Sequence, residues 1–370
     1  MTPLLIDQAD QLDQVSAGLD GAKVLFIDTE FESRRGGTDL CLIQVTDGES
    51  LYLIDAIAIR DLVPLADVIG DAEVTWVTHA GRQDVDLMMK ALKLRCRPKI
   101  YDTQVAWSLV SAEHQVSLAY LVAVLLGVHR EKGHQTDNWT RRPLTDAQIS
   151  YAADDAEDLV ALYAALNQRL DKLQRRDLVV EVTSETFKPP PARSDHISLS
   201  RYRNLWQLNG PQQAALSALL RWYNALRNHR GAPHYKTLFS IAARLPEDPR
   251  SLGDIKGVNP RFAHGEQGAA IIELMAEAAD GADELADASG PSPYATFDEY
   301  FREAWLSCAR AELSAALCIA PEVAFPPWLM KRLRAAVKET IELTDLAGEF
   351  DGWRGCLSDP WRKFCEDTNA

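Results

Sequence analysis

Lys23-Val24-Leu25-Phe26-Ile27-Asp28-Thr29-Glu30 is the stretch on which the reading of this chain turns. Val24 to Ile27 is a short apolar run that predicts a buried strand, and the strand leads into two acids two positions apart. Side chains two apart on a strand share a face, so Asp28 and Glu30 leave its end in parallel, able to bridge a pair of ions. A strand that merely meets water also ends in solvated acids, so an Asp-x-Glu pair alone is weak evidence.

Two further stretches carry acids that a fold can pool with the first pair: His79-Ala80-Gly81-Arg82-Gln83-Asp84 and Tyr151-Ala152-Ala153-Asp154-Asp155. Thr145-Asp146-Ala147-Gln148 has the form of a capping box, which predicts a helix starting there and running through Tyr151 to Leu166. Tyr151 and Asp155 then lie four apart on one helical face. A phenol beside a metal-binding carboxylate can hold a water in line with a phosphorus atom; the plainer alternative is a packed Tyr and a solvent-facing Asp. Carboxylates crowded together repel unless a divalent cation neutralises them, and hard oxygen donors suit Mg²⁺ or Mn²⁺ rather than zinc. Spacing leaves Asp86 as a rival to Asp84, and Asp154 as a rival to Asp155.

In this order, Asp-x-Glu, Asp, Tyr-x-x-x-Asp, the chain resembles the DEDD exonuclease superfamily in its tyrosine-bearing branch, and within it the ribonuclease D family. The resemblance rests on Phe26 to Phe31, Leu40-Cys41-Leu42-Ile43-Gln44, His79-Ala80-Gly81 with Asp84, Thr136 to Leu144, and Tyr151-Ala152-Ala153 with Asp155. It implies that Asp28, Glu30, Asp84 and Asp155 hold two divalent ions, Mg²⁺ or Mn²⁺, with Tyr151 positioning the attacking water in a two-metal hydrolysis. It also implies release of nucleoside 5′-monophosphates from RNA 3′ ends, tRNA precursors above all. Phe31, Gln44 and His79 are the expected substrate-side residues, although His79 also reads as a core or supporting side chain. Lys132, His134, Arg141 and Arg142 are expected to grip the RNA backbone, with Trp139 a packing residue or a stacking platform.

The sequence departs from that family twice. Glu32-Ser33-Arg34-Arg35-Gly36-Gly37-Thr38-Asp39 stands where relatives usually carry a Tyr and a Pro, and Gly36-Gly37 suggests a looser loop. Ala156-Glu157-Asp158 follows Asp155, where an apolar residue and an aromatic are commoner.

The fold expected is α/β: a ribonuclease H-like exonuclease domain over residues 1–186, with a mixed central sheet flanked by helices, followed by two all-α HRDC-like domains. Strand-like runs at Val24-Ile27, Leu42-Thr46, Leu51-Ile54 and Val74-Val77 alternate with helical ones. Leu118 to Val128 reads as a buried helix ended by Gly127. Lys188-Pro189-Pro190-Pro191 marks a stiff linker (187–199) that no helix crosses. The first HRDC domain is placed at 200–280 on Pro211 to Asn228 and Ser251 to Val258; an acidic linker (281–295) and a second helical unit (296–370) follow.

At 370 residues the chain supports several domains without disulfides, and its six cysteines include no C-x-x-C pair, as expected of a reducing compartment. Met1 to Asp13 is acidic without a long apolar run, and no stretch approaches the roughly 20 apolar residues of a membrane span, so a cytoplasmic, membrane-free protein is expected. Absence of GxGxxG and Walker loops predicts no nucleotide cofactor, and a monomer is expected. The net charge of −15 is unevenly spread. Residues 1–190 carry 19 basic and 30 acidic side chains, 191–261 carry 11 and 4, and 262–370 carry 9 and 20. The basic module is the natural phosphate-binding candidate, a solvated basic face being the alternative, and a cut near Pro191 is expected to weaken RNA binding while slow turnover persists. Two other functions remain open on sequence: a DNA-directed repair or proofreading exonuclease, and a catalytically silent RNA-binding scaffold.

Overall fold

The strand predicted at Val24–Ile27 forms and lies inside a six-stranded mixed sheet. In chain order the strands are β1 (Pro3–Ile6), β2 (Val24–Arg34), β3 (Gly37–Thr46), β4 (Leu51–Asp55), β5 (Thr75–Thr78) and β6 (Lys99–Asp102), arranged β1-β4-β3-β2-β5-β6. Only β3 runs against the rest: it pairs antiparallel with β2 and β4, whereas β1–β4, β2–β5 and β5–β6 are parallel. β1 and β6, short strands at the two edges, lie outside the strands expected from sequence. The computed structural model describes residues 1–34, 37–130, 133, 137–188, 196–226, 231–280, 296–339 and 343–368.

The helices are α1 (Leu12–Leu19), α2 (Ala66–Ile69), α3 (Arg82–Ala91), α4 (Thr103–Ser108), α5 (Leu118–Leu126), α6 (Asp146–Lys172) and α7 (Leu178–Thr186), then α8 (Gly210–Ala225), α9 (Tyr235–Arg244), α10 (Pro249–Gly253), α11 (Pro260–Ala263) and α12 (Glu266–Asp280), and finally α13 (Phe297–Leu317), α14 (Pro321–Ala324), α15 (Pro327–Glu339) and α16 (Ser358–Thr368). α6 starts where the capping box places it, with Thr145 accepting from the Gln148 amide, and outruns the expected Leu166 by a turn and a half. α5 stops at Gly127, whose φ of 70° is the left-handed conformation that glycine adopts without steric cost.

The alternation of side chains on the sheet sorts the core into two layers. Leu25, Ile27, Ile43, Val45, Trp76 and Ile100 pack with α1 and α3 on one face. Phe26, Val77 and Tyr101 pack with α4 to α7 on the other. Asp28 and Glu30 continue the Phe26 side and therefore emerge beneath α6.

The chain divides into two units, Met1–Lys188 together with Asp298–Ala370, and Pro189–Phe297. In the first, the last helices share a core with the nuclease part: Trp107, Leu109, Leu166 and Val179 belong to one apolar cluster with Trp305, Phe325, Leu333 and Trp361. The Ala320 amide donates to the Ser108 carbonyl at 2.7 Å, and Arg354 pairs with Glu185 at 2.7 and 3.0 Å. A cut near Pro191 therefore removes part of the nuclease unit's own core as well as the basic module, a correction to the expectation that such a fragment keeps turning over. The second unit is a helical bundle around Leu216, Leu219, Leu238, Ile241, Leu252 and Ile271.

Candidate active site

Asp28, Glu30 and Asp155 can present carboxylate oxygens that all lie within 4.8 Å of one another. β2 brings the first two and α6 the third; Tyr151, one turn earlier on α6, hydrogen-bonds Asp155 through its phenol. Asp84, at the start of α3, is 9 % exposed and accepts a hydrogen bond from the Thr29 hydroxyl. Glu30 and Phe31 both line one cleft, and between them the register of β2 against β3 shifts, with Cys41 of β3 as the extra residue. That cleft, of about 560 Å³, is walled by the acids, Phe31, His79, Gln104, the 115–119 segment, Arg130, Tyr151 and Asp158.

Asp102 holds the Asp84 side of the cleft in place. Only 1 % exposed, it caps α4 by accepting from the Gln104 and Val105 amides and also accepts from the Gly81 amide at 2.9 Å. One carboxylate thereby fixes the ends of β5 and β6 and the first turn of α3. Gly81 is required there because a Cβ would collide with the Thr78 side chain.

The electrostatics are those of crowded like charges. Burial, reinforced by Asp84 and Asp155, pushes Asp28 well above the usual carboxylate range. Burial and then Asp28, Asp155 and Asp84 push Glu30 up to about 9. Asp155 rises to about 6 through burial, opposed by the Tyr151 hydrogen bond, and Asp84 is raised by burial against the Thr29 hydrogen bond. Buried acids this close together ionise jointly only when further positive charge joins them. Their all-oxygen donor set and spacing fit divalent cations.

The structure brings Asp28, Glu30, Asp84, Tyr151, Asp155, Phe31 and His79 to one cleft. The rivals separate: Asp86 pairs with Arg97 at 2.5 Å, and Asp154 with Arg130 at 3.2 Å. His79 has both ring nitrogens engaged within the protein, Nδ1 at 2.9 Å from Thr103 Oγ1 and Nε2 at 3.0 Å from the Val116 carbonyl, which anchors the 115–119 wall. Gln44 is fully buried, opposite Asp28 in the β2–β3 ladder, and is not in the cleft wall. Arg142 binds Asp55 through two nitrogens and the carbonyls of Cys41, Trp139 and Arg141, so its guanidinium is engaged in tying β3 and β4 to the segment before α6. Arg141 is exposed and outside the cleft wall, and Trp139, 2 % exposed, packs in a core cluster and has no free face for a base. Lys132, His134 and Gly36 lie outside the described residues. Sequence reasoning missed Thr29, Asp102, Arg130 and the 115–119 wall; the signal for Asp102 is its place directly before an N-terminal helical turn.

A family model for 3′-5′ exonucleases matches residues 3–171. The ribonuclease D of Gluconacetobacter diazotrophicus is 32% identical over 294 residues, covering 75% of this chain and 72% of the relative. That of Granulibacter bethesdensis is 32% identical over 284 residues, with the same coverage of 75% and 72%. Among solved structures, Escherichia coli RNase D, described as an exoribonuclease involved in structured RNA processing, shares the fold with a TM-score of 0.65 at 23% identity over 99% of both chains. The chain belongs to the ribonuclease D family, 3′→5′ exoribonucleases of the DEDD type.

Proposed function

We propose that Asp28, Glu30, Asp84 and Asp155 hold two divalent cations, Mg²⁺ or Mn²⁺, and that the enzyme trims the 3′ ends of structured RNAs, tRNA precursors among them, one nucleotide at a time. The observation that carries this reading is the convergence of Asp28, Glu30 and Asp155 within 4.8 Å from two separate elements, an arrangement of like charges that costs free energy unless cations join it. When bound, the ions supply Lewis-acid stabilisation of the attacking and leaving oxygens of an in-line displacement. Tyr151 orients the attacking water through its phenol, held by Asp155. The water gives up a proton to solvent as its oxygen bonds to phosphorus, the bond to the penultimate 3′ oxygen breaks, that oxygen takes up a proton from solvent, and a nucleoside 5′-monophosphate leaves. Phe31 and the 115–119 wall border the space for the terminal nucleotide.

The same reading makes the protein a cytoplasmic monomer that needs no nucleotide cofactor; among the described residues no helix is long and apolar enough to cross a membrane. It also assigns residues 1–186 as the nuclease domain and 200–280 and 296–370 as HRDC-type helical domains, the first gripping phosphates through its basic surplus.

The test is degradation of matched 5′-labelled RNA and DNA oligonucleotides with Mg²⁺, Mn²⁺ or EDTA. A ladder of single-nucleotide steps on RNA that EDTA abolishes, and that D28N and D155N lose while folding with a Tm no lower than the wild type's, is expected. Equal or faster trimming of DNA would replace the RNA assignment, and full activity of either variant would overturn the metal assignment.

A further inference from the structure

We propose that Arg130 is a substrate-contacting residue, a guanidinium built into the wall of the acidic cleft to bind a phosphate of the incoming RNA strand close to its 3′ end. The inference rests on the reading of the cleft as an RNA 3′-end site and adds a residue that neither the motif nor the spacing of the acids points to. An RNA strand that enters the cleft brings polyanionic backbone toward Asp28, Glu30, Asp84 and Asp155. Among the described residues that wall the cleft, Arg130 is the sole lysine or arginine.

Its placement is not that of a loose surface arginine. Nε and Nη2 each donate to Asp158 at 2.8 Å, a fork-on-fork pair, and Nη1 stands 3.2 Å from Asp154. Asp158 is 5 % exposed, whereas the Arg130 side chain is 32 % exposed, so the buried carboxylate works as the anchor and the guanidinium edge as the accessible part. Asp155 and Asp158 are three apart on α6 and share a face, which places the anchored cation about one helical turn from a proposed metal ligand. A guanidinium carries five N–H donors, and the Asp158 fork uses two of them. A planar cation held by one edge can present another to a phosphate, and the anchor removes the rotamer entropy that a free arginine loses on binding. Asp158 is thus a positioning residue, and the pair gives a use to the charged residue found where the sequence departs from its relatives.

The experiment measures the affinity of a 5′-fluorescein RNA 12-mer by anisotropy in Ca²⁺ over a range of KCl, with a gel check that the RNA stays intact. The R130M/D158N variant removes the cation without leaving a lone buried carboxylate. It is expected to bind roughly tenfold more weakly, the loss of one charge-assisted contact, and the slope of log K against log salt should shrink by about 0.7, one phosphate's share for a single strand. R130K should restore the slope and part of the affinity. If the double variant does not fold, R130Q reads the same slope. Wild-type affinity in the variant, or weaker binding with an unchanged slope, would show a merely structural clasp and overturn the proposal. A parallel Mn²⁺ assay of the wild type separates failure of the cleft reading from failure of the arginine's role: RNA left uncut there sinks the former, while the affinities still decide on Arg130.

Discussion

Thr29 stands between the two strand acids and donates its hydroxyl to Asp84, so the residue that separates Asp28 from Glu30 also ties β2 to α3. That hydrogen bond opposes the burial that raises Asp84, and so favours the ionised form needed to bind a cation. T29V keeps the shape and removes the donor. It is expected to weaken the Mn²⁺ concentration dependence of RNA trimming by about tenfold or more, the usual cost of losing a residue that orients a ligand, with kcat at saturating metal nearly unchanged and T29S close to wild type. A metal titration of initial rates checks this; an unchanged midpoint in T29V would remove Thr29 from the site's support.

The raised acids make metal-free stability depend on pH with the opposite sign to that of ordinary surface carboxylates. Between the unfolded carboxyl values, near 4, and the folded ones, about 6 for Asp155 and about 9 for Glu30, the folded state binds more protons than the unfolded chain. Stability contributed by these groups is therefore greatest at low pH and declines as pH rises through that window. Bound cations would displace the protons and cancel the loss. The rise in Tm on adding Mn²⁺ should accordingly be larger at pH 8.5 than at pH 6, and E30Q should melt higher than the wild type in EDTA at pH 8.5. Calorimetry at the two pH values gives the comparison, and a metal effect that does not grow with pH contradicts it.

Tyr151 packs 6.1 Å centroid to centroid from Trp139 while its phenol reaches Asp155. Y151F keeps the first contact and loses the second. Because the hydroxyl serves to place the water, kcat should drop by roughly 10²–10³ with little change in KM or Tm. A fall confined to Tm would make the tyrosine a packing residue.

The parts of this site legible in the sequence are those encoded by short-range pattern. The apolar run before Asp28, the Thr145–Gln148 capping box and the four-residue step from Tyr151 to Asp155 each lie within one element, where period and capping speak directly. What depends on partners far along the chain was not legible. Thr29 meets Asp84, Arg130 meets Asp158 and Asp55 meets Arg142 across 55, 28 and 87 residues, and no local period announces them. Arg142 shows the limit well: a basic residue before the catalytic helix invites a phosphate, yet all five N–H donors of its guanidinium are taken, by Asp55 and by the carbonyls of Cys41, Trp139 and Arg141, and it is a brace between strands. The last helices were hidden for a similar reason. An acidic, Pro- and Gly-containing stretch signals a boundary, and composition cannot say that the chain beyond it returns to a core already begun.

That return has a measurable consequence. Trp305, Phe325, Trp361 and Phe364 are 8, 1, 0 and 5 % exposed within the cluster that includes Trp107, Leu166 and Val179 of the nuclease part. Arg175 adds hydrogen bonds to the carbonyls of Leu109 at 2.7 Å and Leu317 at 2.5 Å, joining the two stretches from a third point. A chain ended after Lys188 uncovers the nuclease side of this cluster. Re-exposing a large apolar side chain costs about 1.5–3 kcal/mol, so three or four of them amount to a sum comparable with the 5–15 kcal/mol that holds an ordinary domain together. The 1–188 fragment is expected to be insoluble, or to lack a cooperative melt in near-UV circular dichroism, in contrast to the full chain. L333A, a cavity at a fully buried position of α15, tests the same coupling without truncation. It should lower the full chain's stability by about 2–5 kcal/mol in urea and shift the loss of nuclease activity to the same lower denaturant concentration. Activity that survives past the unfolding of the last helices would mean that the two stretches fold independently.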